Sequence, residues 1–127
     1  MLQIDLRSTY ADVMERALYN GMLSGISLRG DRFFYENPLA SDGDHHRQAF
    51  FSCSCCPPNL NRILPVVGGL MYSQGAQEIV AHLYIGSAAT FNLEGGQVTL
   101  IQETDYPWDG VVCMRTVSYT HLRAHET

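Results

Sequence analysis

No run of about 18 apolar residues exists in this chain, so no segment of it is expected to cross a bilayer as a helix. The opening residues, MLQIDLRSTY, lack the basic start and apolar core of a secretory leader. Positive charge is sparse: eight Lys and Arg stand against 13 Asp and Glu, and they are nowhere clustered. The formal charge of -5 argues against a nucleic-acid partner, which needs grouped basic residues to displace counterions from phosphates. It also leaves no polybasic handle for an anionic membrane surface. Internal repeats and low-complexity stretches are missing too. Hydrophobic residues make up 46% of the chain and charged residues 17%, a balance that speaks against disorder and for a globular chain.

Cysteines are few but unevenly placed. Three of the four, Cys53, Cys55 and Cys56, crowd one short window, and Cys113 stands alone. Crowding of that kind is a poor disulfide framework, because adjacent cysteines rarely reach disulfide geometry. In a chain of otherwise cytosolic character it points instead to metal binding or thiol chemistry, and a cytoplasmic location is the matching expectation.

Hydrophobic spacing predicts a helix from Thr9 to about Leu23. Thr9 and Asp12 have the spacing of a capping box, and Tyr10, Met14, Ala17, Leu18, Gly21 and Met22 form one apolar stripe. Gly21 and Gly25 are expected to end it. Ile26–Tyr35 reads as a hairpin turning around Gly30, and residues 37–48 as a loop. A second helix should start at the cysteine cluster, with Pro57 and Pro58 in its first turn and a kink at Pro65. After Gly75 the period becomes alternating: Ile79, Ala81, Leu83 and Ile85 share one strand face, and His82 lies on the other, outward. A hairpin about Gly95–Gly96 would set Leu93 opposite Val98 and Phe91 opposite Leu100. The switch from helix to sheet near residue 76 predicts an α+β chain of two parts. Two helices and one hairpin cannot cover the apolar stripes of residues 1–75, so partner surface from elsewhere is expected.

Chemically, Phe51-Ser52-Cys53-Ser54-Cys55-Cys56-Pro57-Pro58-Asn59 is the segment with most to explain. Thiols at a helix start are favoured as thiolates, the form that binds zinc and attacks electrophiles. Cys53-x-x-Cys56 also has the spacing of a redox pair or half a zinc ribbon. The first needs a βαβ context and the second another cysteine pair, neither of which is present. Burial as small inert side chains is the bland alternative. His45 and His46, beside Asp42 and Asp44, could ligate a metal, but solvated loop polarity is the simpler account. Glu15 stands at the edge of the first apolar stripe, where a solvated face is the default.

Taken together, YADVMERALYNGMLSGISLRGDRFFYENPL, FSCSCCPPNLNRIL and TDYPWDG resemble the beta-L-arabinofuranosidases of glycoside hydrolase family 127, over roughly residues 1–111. The resemblance implies the last helices of an (α/α)6 toroid catalytic domain in residues 1–75, followed by the first antiparallel strands of a β-sandwich from residue 76. It implies a retaining hydrolase that removes terminal beta-L-arabinofuranose from an oligosaccharide or glycan. By position, Cys55 is then the nucleophile and a Zn2+ ligand, Cys56 a second zinc ligand, and Glu15 and Tyr35 line the sugar pocket. Cys53 takes no family role, and inert burial is its expected fate.

The family's acid/base glutamate sits in an E-x-C element with another zinc-binding cysteine, and this sequence contains no such element. Cys113 cannot stand in, having no Glu two residues before it. The chain is therefore expected to be an internal piece with half a catalytic centre, inactive by itself. Its end, TVSYTHLRAHET, resembles a recurrent translation of sequencing-adapter DNA, so residues 113–127 are expected to be a non-native tail that packs poorly. The alternative from another class is a small self-contained zinc- or redox-binding protein built on Cys53, Cys55 and Cys56.

Overall fold

The structure is a computed structural model and describes residue 2 and residues 4–53 and 55–119. The chain divides into two compact units, Met1–Gly68 and Gly69–Thr127. Helices and turns make the first and antiparallel strands the second, as the change of period predicts. The sheet unit starts before residue 76, because Tyr72–Gln74 already form a strand.

In the first unit, α1 spans Ser8–Arg16 and runs on through a π-helical turn, Ala17–Met22, into a 3₁₀ turn, Leu23–Gly25. The helical run ends at Gly25, as the sequence suggests, but its start differs. Arg7 is the N-cap and no side chain caps the helix, so the expected Thr9–Asp12 box does not form and Thr9 lies inside the first turn. Tyr10, Met14, Leu18 and Met22 of the predicted stripe are only half-buried, and no residue of α1 is fully buried. That is the thin cover foreseen from composition.

The turn at Gly30 is real: its φ of 72° is a left-handed conformation that glycine adopts without strain. Ser27 N–H donates to Arg32 O at 2.8 Å, and Ile26 bridges Phe33. Phe33 bridges Gln48 as well, so the loop of residues 37–48 returns to the hairpin. After the cysteines, α2 covers only Pro58–Ile63 with Pro57 as its N-cap. The chain then tightens to 3₁₀ geometry over Leu64–Leu70. Pro65, which cannot supply an α-helical N–H, sits one residue into the tightened stretch and accounts for the change.

The second unit has two sheets. β1, Tyr72–Gln74, pairs with β2, Ile79–Ala81. β3, Ser87–Leu93, pairs with β4, Gly96–Thr104, and β4 with β5, Val112–Tyr119, all antiparallel. Leu83, Leu100 and Met71 are its buried apolar residues. Gln102, 2% exposed, donates through Nε2 to the Tyr72 hydroxyl and, at 3.3 Å, to Leu83 O.

Three expectations change here. The β3–β4 turn is Glu94–Gly95, with Leu93 opposite Gly96 and Phe91 opposite Val98. The slip is of two positions, which keeps every side chain on its predicted face. Glu94 fixes it, with its N–H on Ala76 O at 2.9 Å and its carboxylate accepting from Gln77 at 3.0 Å. Second, strand pairing continues past Val112, although Cys113, Met114, Arg115, Thr116 and Ser118 stay exposed. Thr104↔Val112 through Gln97↔Tyr119 are paired in continuous register; residues 120–127 of the expected tail lie outside the described residues. Third, His82 is not an outward surface residue. It is 8% exposed, its N–H donates to Met71 O at 2.7 Å, and its Nε2 shares a 2.7 Å hydrogen bond with the Ser73 hydroxyl. Strand β2 stops at Ala81, so the strict alternation that would have exposed His82 does not apply to it.

Burial lowers the pKa of His82 from its ordinary 6.5. A histidine of this kind stays neutral in the folded state while the unfolded chain takes up a proton. Its contribution to stability is therefore complete above about pH 6.5 and is lost as pH falls through the lower folded-state value. Thermal melts of the sheet unit should accordingly weaken from pH 7.5 to pH 5, and His82→Gln should flatten that slope. An equal slope in the variant would assign the effect to other groups.

Candidate active site

Glycine chemistry and aromatic packing bring the candidate residues of the first unit together. Phe34 N–H donates to Gly25 O at 2.9 Å, which ties the second arm of the hairpin to the end of the helical run. A Cβ on Gly25 would stand 2.9 Å from Asn37 Oδ1. Asn37 is itself held there, its Nδ2 donating to Gly21 O at 2.9 Å. Phe51, two residues before Cys53, packs against both Phe33 and Tyr35, with ring centroids 5.4 Å apart in each pair. The aromatic contacts set the cysteine segment beside the end of the hairpin.

The Tyr35 hydroxyl lies 2.8 Å from Cys55 Sγ and 3.8 Å from Cys53 Sγ. Cys55 Sγ is 3.5 Å from Cys56 Sγ and 3.6 Å from Cys53 Sγ. Hydrogen bonds to Cys55 first, then Cys56 and Cys53, push the Tyr35 phenol well above the usual tyrosine range. Tyr35 therefore stays protonated, and in its hydrogen bond with Cys55 either the hydroxyl or the thiol can donate. All three thiols are exposed and free. Cys53 is thus corrected: it is not an inert buried side chain but a member of the cluster. The spacing Cys53-x-Cys55 was visible in the sequence; the hydroxyl that gathers the three sulfurs was not, since nothing local links residue 35 to residue 55.

Beside the cluster is an open, largely apolar hollow of about 480 Å³, lined among others by Met22, Tyr35, Cys56, Leu60 and Ile63. Cys56 and Tyr35 border it and Cys55 does not. A second hollow of about 350 Å³ has Tyr35, Glu36, Asp44, His45, His46 and Phe51 in its wall. His45 stacks on Phe34 at 4.8 Å, with its Nε2 3.1 Å from Glu36 O, and the Arg47 guanidinium lies 4.4 Å from the Phe34 ring centre. These contacts fit the solvated-loop reading of the histidines. Glu15 is half-buried on α1, close enough to Tyr19 to add to the rise in its phenol pKa that burial begins. It is in the wall of neither hollow.

Two thiolates on one tetrahedral zinc, each about 2.3 Å from the ion, stand about 3.8 Å apart. The Cys55–Cys56 separation of 3.5 Å is close to that edge, so this pair fits one zinc with small rotations. Among the described residues no group of three or more His, Cys, Asp and Glu could hold an ion, so the pair would need donors from elsewhere.

A family model described as the beta-L-arabinofuranosidase GH127 catalytic domain matches residues 1–69. This chain belongs to glycoside hydrolase family 127. The GH127 middle-domain model matches residues 78–125, so the helical and sheet units fall on two domains of the family. The chain is similar to a non-reducing end beta-L-arabinofuranosidase of Bifidobacterium longum subsp. longum, with 34% identity over 125 residues, 88% of this chain and 18% of the relative. It is also similar to the crystal structure of a GH127 beta-L-arabinofuranosidase from Geobacillus stearothermophilus T6, at 43% identity and TM-score 0.82, covering 94% of this chain and 21% of that one. A solved glycoside hydrolase matches at 38% identity and TM-score 0.79 over 93% of this chain and 21% of its own. The GH127 chain in hand thus spans about a fifth of the length of these relatives.

The position of Tyr35 is checked by ultraviolet titration. The difference in tyrosinate absorbance between the protein and its Tyr35→Phe variant should show no step near pH 10.0, the ordinary phenol value. Alkylation of the thiols should bring that step back. A normal step in the untreated protein would mean that the hydroxyl is not held on sulfur.

Proposed function

We propose that this chain supplies the nucleophilic half of the active site of a retaining glycoside hydrolase that removes terminal beta-L-arabinofuranose from oligosaccharides or glycans. The observation that carries the proposal is the Tyr35 hydroxyl 2.8 Å from Cys55 Sγ, with Cys56 Sγ 3.5 Å from the same sulfur. Family membership supports the substrate class. In this reading the first unit belongs to an (α/α)6 toroid and the second to a β-sandwich.

Cys55 Sγ attacks the anomeric carbon, and the bond to the departing glycosidic oxygen breaks as that oxygen takes a proton from an acid/base group. Water, deprotonated by the same group, then displaces the sulfur, and configuration is retained over the two steps. The acid/base is assigned to a glutamate outside these 127 residues, in the family's E-x-C element. Cys55 and Cys56 would hold a zinc ion, which supplies the charge that keeps the attacking sulfur deprotonated and oriented. Tyr35 directs its proton at Cys55 Sγ and so fixes the rotamer from which the sulfur approaches the sugar. Glu15 is proposed, with Tyr35, to accept sugar hydroxyls in the pocket.

By itself the chain should release no nitrophenol from a nitrophenyl arabinofuranoside, since loss of an acid/base alone removes about 10²–10⁴-fold of the rate. Turnover by the pure chain that a chelator abolishes would refute the half-site reading and favour a self-contained zinc centre.

Division of labour between the adjacent thiols is tested in an enzyme completed with the missing parts. An electrophilic arabinofuranose analogue should label Cys55. Cys55→Ser should abolish turnover, because a hydroxyl is far less ionised and a poorer zinc ligand. Cys56→Ser should lose activity that added zinc partly restores. A label on Cys56, which borders the apolar hollow, would exchange the two roles.

A further inference from the structure

Cys53 has no part in the mechanism above, yet it is exposed and its sulfur lies 3.6 Å from that of Cys55. We propose that Cys53 is a resolving thiol: when a hydroperoxide oxidises Cys55, Cys53 closes a disulfide on it. The proposal needs only the three thiols and does not depend on the glycosidase reading.

The chemistry balances as two steps. The Cys55 sulfur attacks the peroxide O–O bond and takes one oxygen, giving a sulfenic acid and releasing water or an alcohol. The Cys53 sulfur then attacks the Cys55 sulfur. An S–S bond forms, the S–O bond breaks, and the hydroxyl leaves as water with the Cys53 proton. Two electrons pass from the thiol pair to one peroxide. Without a neighbouring thiol a sulfenic acid goes on to sulfinic acid, which is irreversible for most proteins. The disulfide stops at a level that ordinary thiol exchange reverses. An attacking sulfur already 3.6 Å away has the advantage of an intramolecular group over any thiol in solution.

Cys56 is as near, at 3.5 Å, but covalent geometry separates the two candidates. Disulfides join Cα atoms about 4.4–6.8 Å apart, whereas adjacent Cα atoms across a trans peptide are fixed at about 3.8 Å. A Cys55–Cys56 bond would have to distort the backbone. Residues two apart span anything up to about 7 Å, so a Cys53–Cys55 bond can meet the normal range without breaking chain geometry. Both side chains are exposed, and rotation of their sulfurs displaces no core residue.

The test uses the whole 127-residue chain, treated with chelator and then with equimolar hydrogen peroxide, alkylated and digested with trypsin. Cleavage after Arg47 and Arg62 leaves Cys53, Cys55 and Cys56 in one peptide. The expected product has lost two hydrogens, carries one alkyl group on Cys56, and regains both thiols with reductant. Cys53→Ser should lose that product and accumulate sulfinic acid at Cys55 instead. Cys56→Ser should still form the disulfide. The proposal is overturned if the link joins Cys55 to Cys56, if Cys56→Ser abolishes it, or if the parent chain reaches sulfinic acid at Cys55 as fast as Cys53→Ser.

Discussion

The thiol cluster of the helical unit depends on one hydrogen bond, between the Tyr35 hydroxyl and Cys55 Sγ. It joins the end of a hairpin to a cysteine segment whose described residues lie outside any helix or strand. A thiol is a weak hydrogen-bonding partner, so the bond does not fix the geometry unaided. Phe51 does the placing, wedged against Phe33 and Tyr35, and the bridge of Phe33 to Gln48 brings the chain back to where Phe51 can reach. The hydroxyl then selects which sulfur stands nearest to it. A half-buried aromatic contact sets position to within the size of a side chain, and the polar contact sets it to the atom.

The same logic explains Gly25. Its carbonyl anchors Phe34, and its missing Cβ is what lets the Asn37 amide reach back to Gly21. The sequence reading treats Gly25 as a helix stop, which it is, yet the contact argument is the stronger one. Any residue can end a helix with some help, but only glycine leaves room for a side chain at 2.9 Å from the Cβ position. The apparent weakness of that helix end is the condition for the hairpin to close over it.

Legibility in the sequence followed the range of the interaction. Local rules read well: the helical run ending at Gly25, the turn at Gly30, the change of helix type next to Pro65, and the α+β division. Rules that depend on distant partners read less well. The capping box is the local exception, since Arg7 already occupies the N-cap. The β3–β4 register moved by two because Glu94 is tied to Ala76 and Gln77, a contact invisible to a hairpin considered alone. His82 was placed by alternation on a strand that ends at the residue before it. In the site, adjacent thiols pointed to chemistry from spacing alone. The recruitment of Cys53 and the hydroxyl of Tyr35 did not, because the contact spans the loop of residues 37–48, whose conformation no periodicity encodes.

Two kinds of incompleteness coincide in the helical unit and have one physical cause. The apolar stripe of α1 has no fully buried residue, and Leu64 and Val66 stand 43% and 51% exposed. In the proposed zinc site the Cys55–Cys56 pair has the spacing of two ligands, and no third donor completes a site among the described residues. Apolar faces of this breadth are stable only against a partner, and a two-thiolate edge holds zinc firmly only when further donors close the cage. Relatives aligned with this chain are about five times its length, and their remaining residues are the natural source of both. In the proposed reaction the sulfur and its orienting hydroxyl lie in this chain and the proton carrier outside it. The thiol can then be formed and held locally, while the displacement waits for the rest of the fold to bring the acid and exclude water.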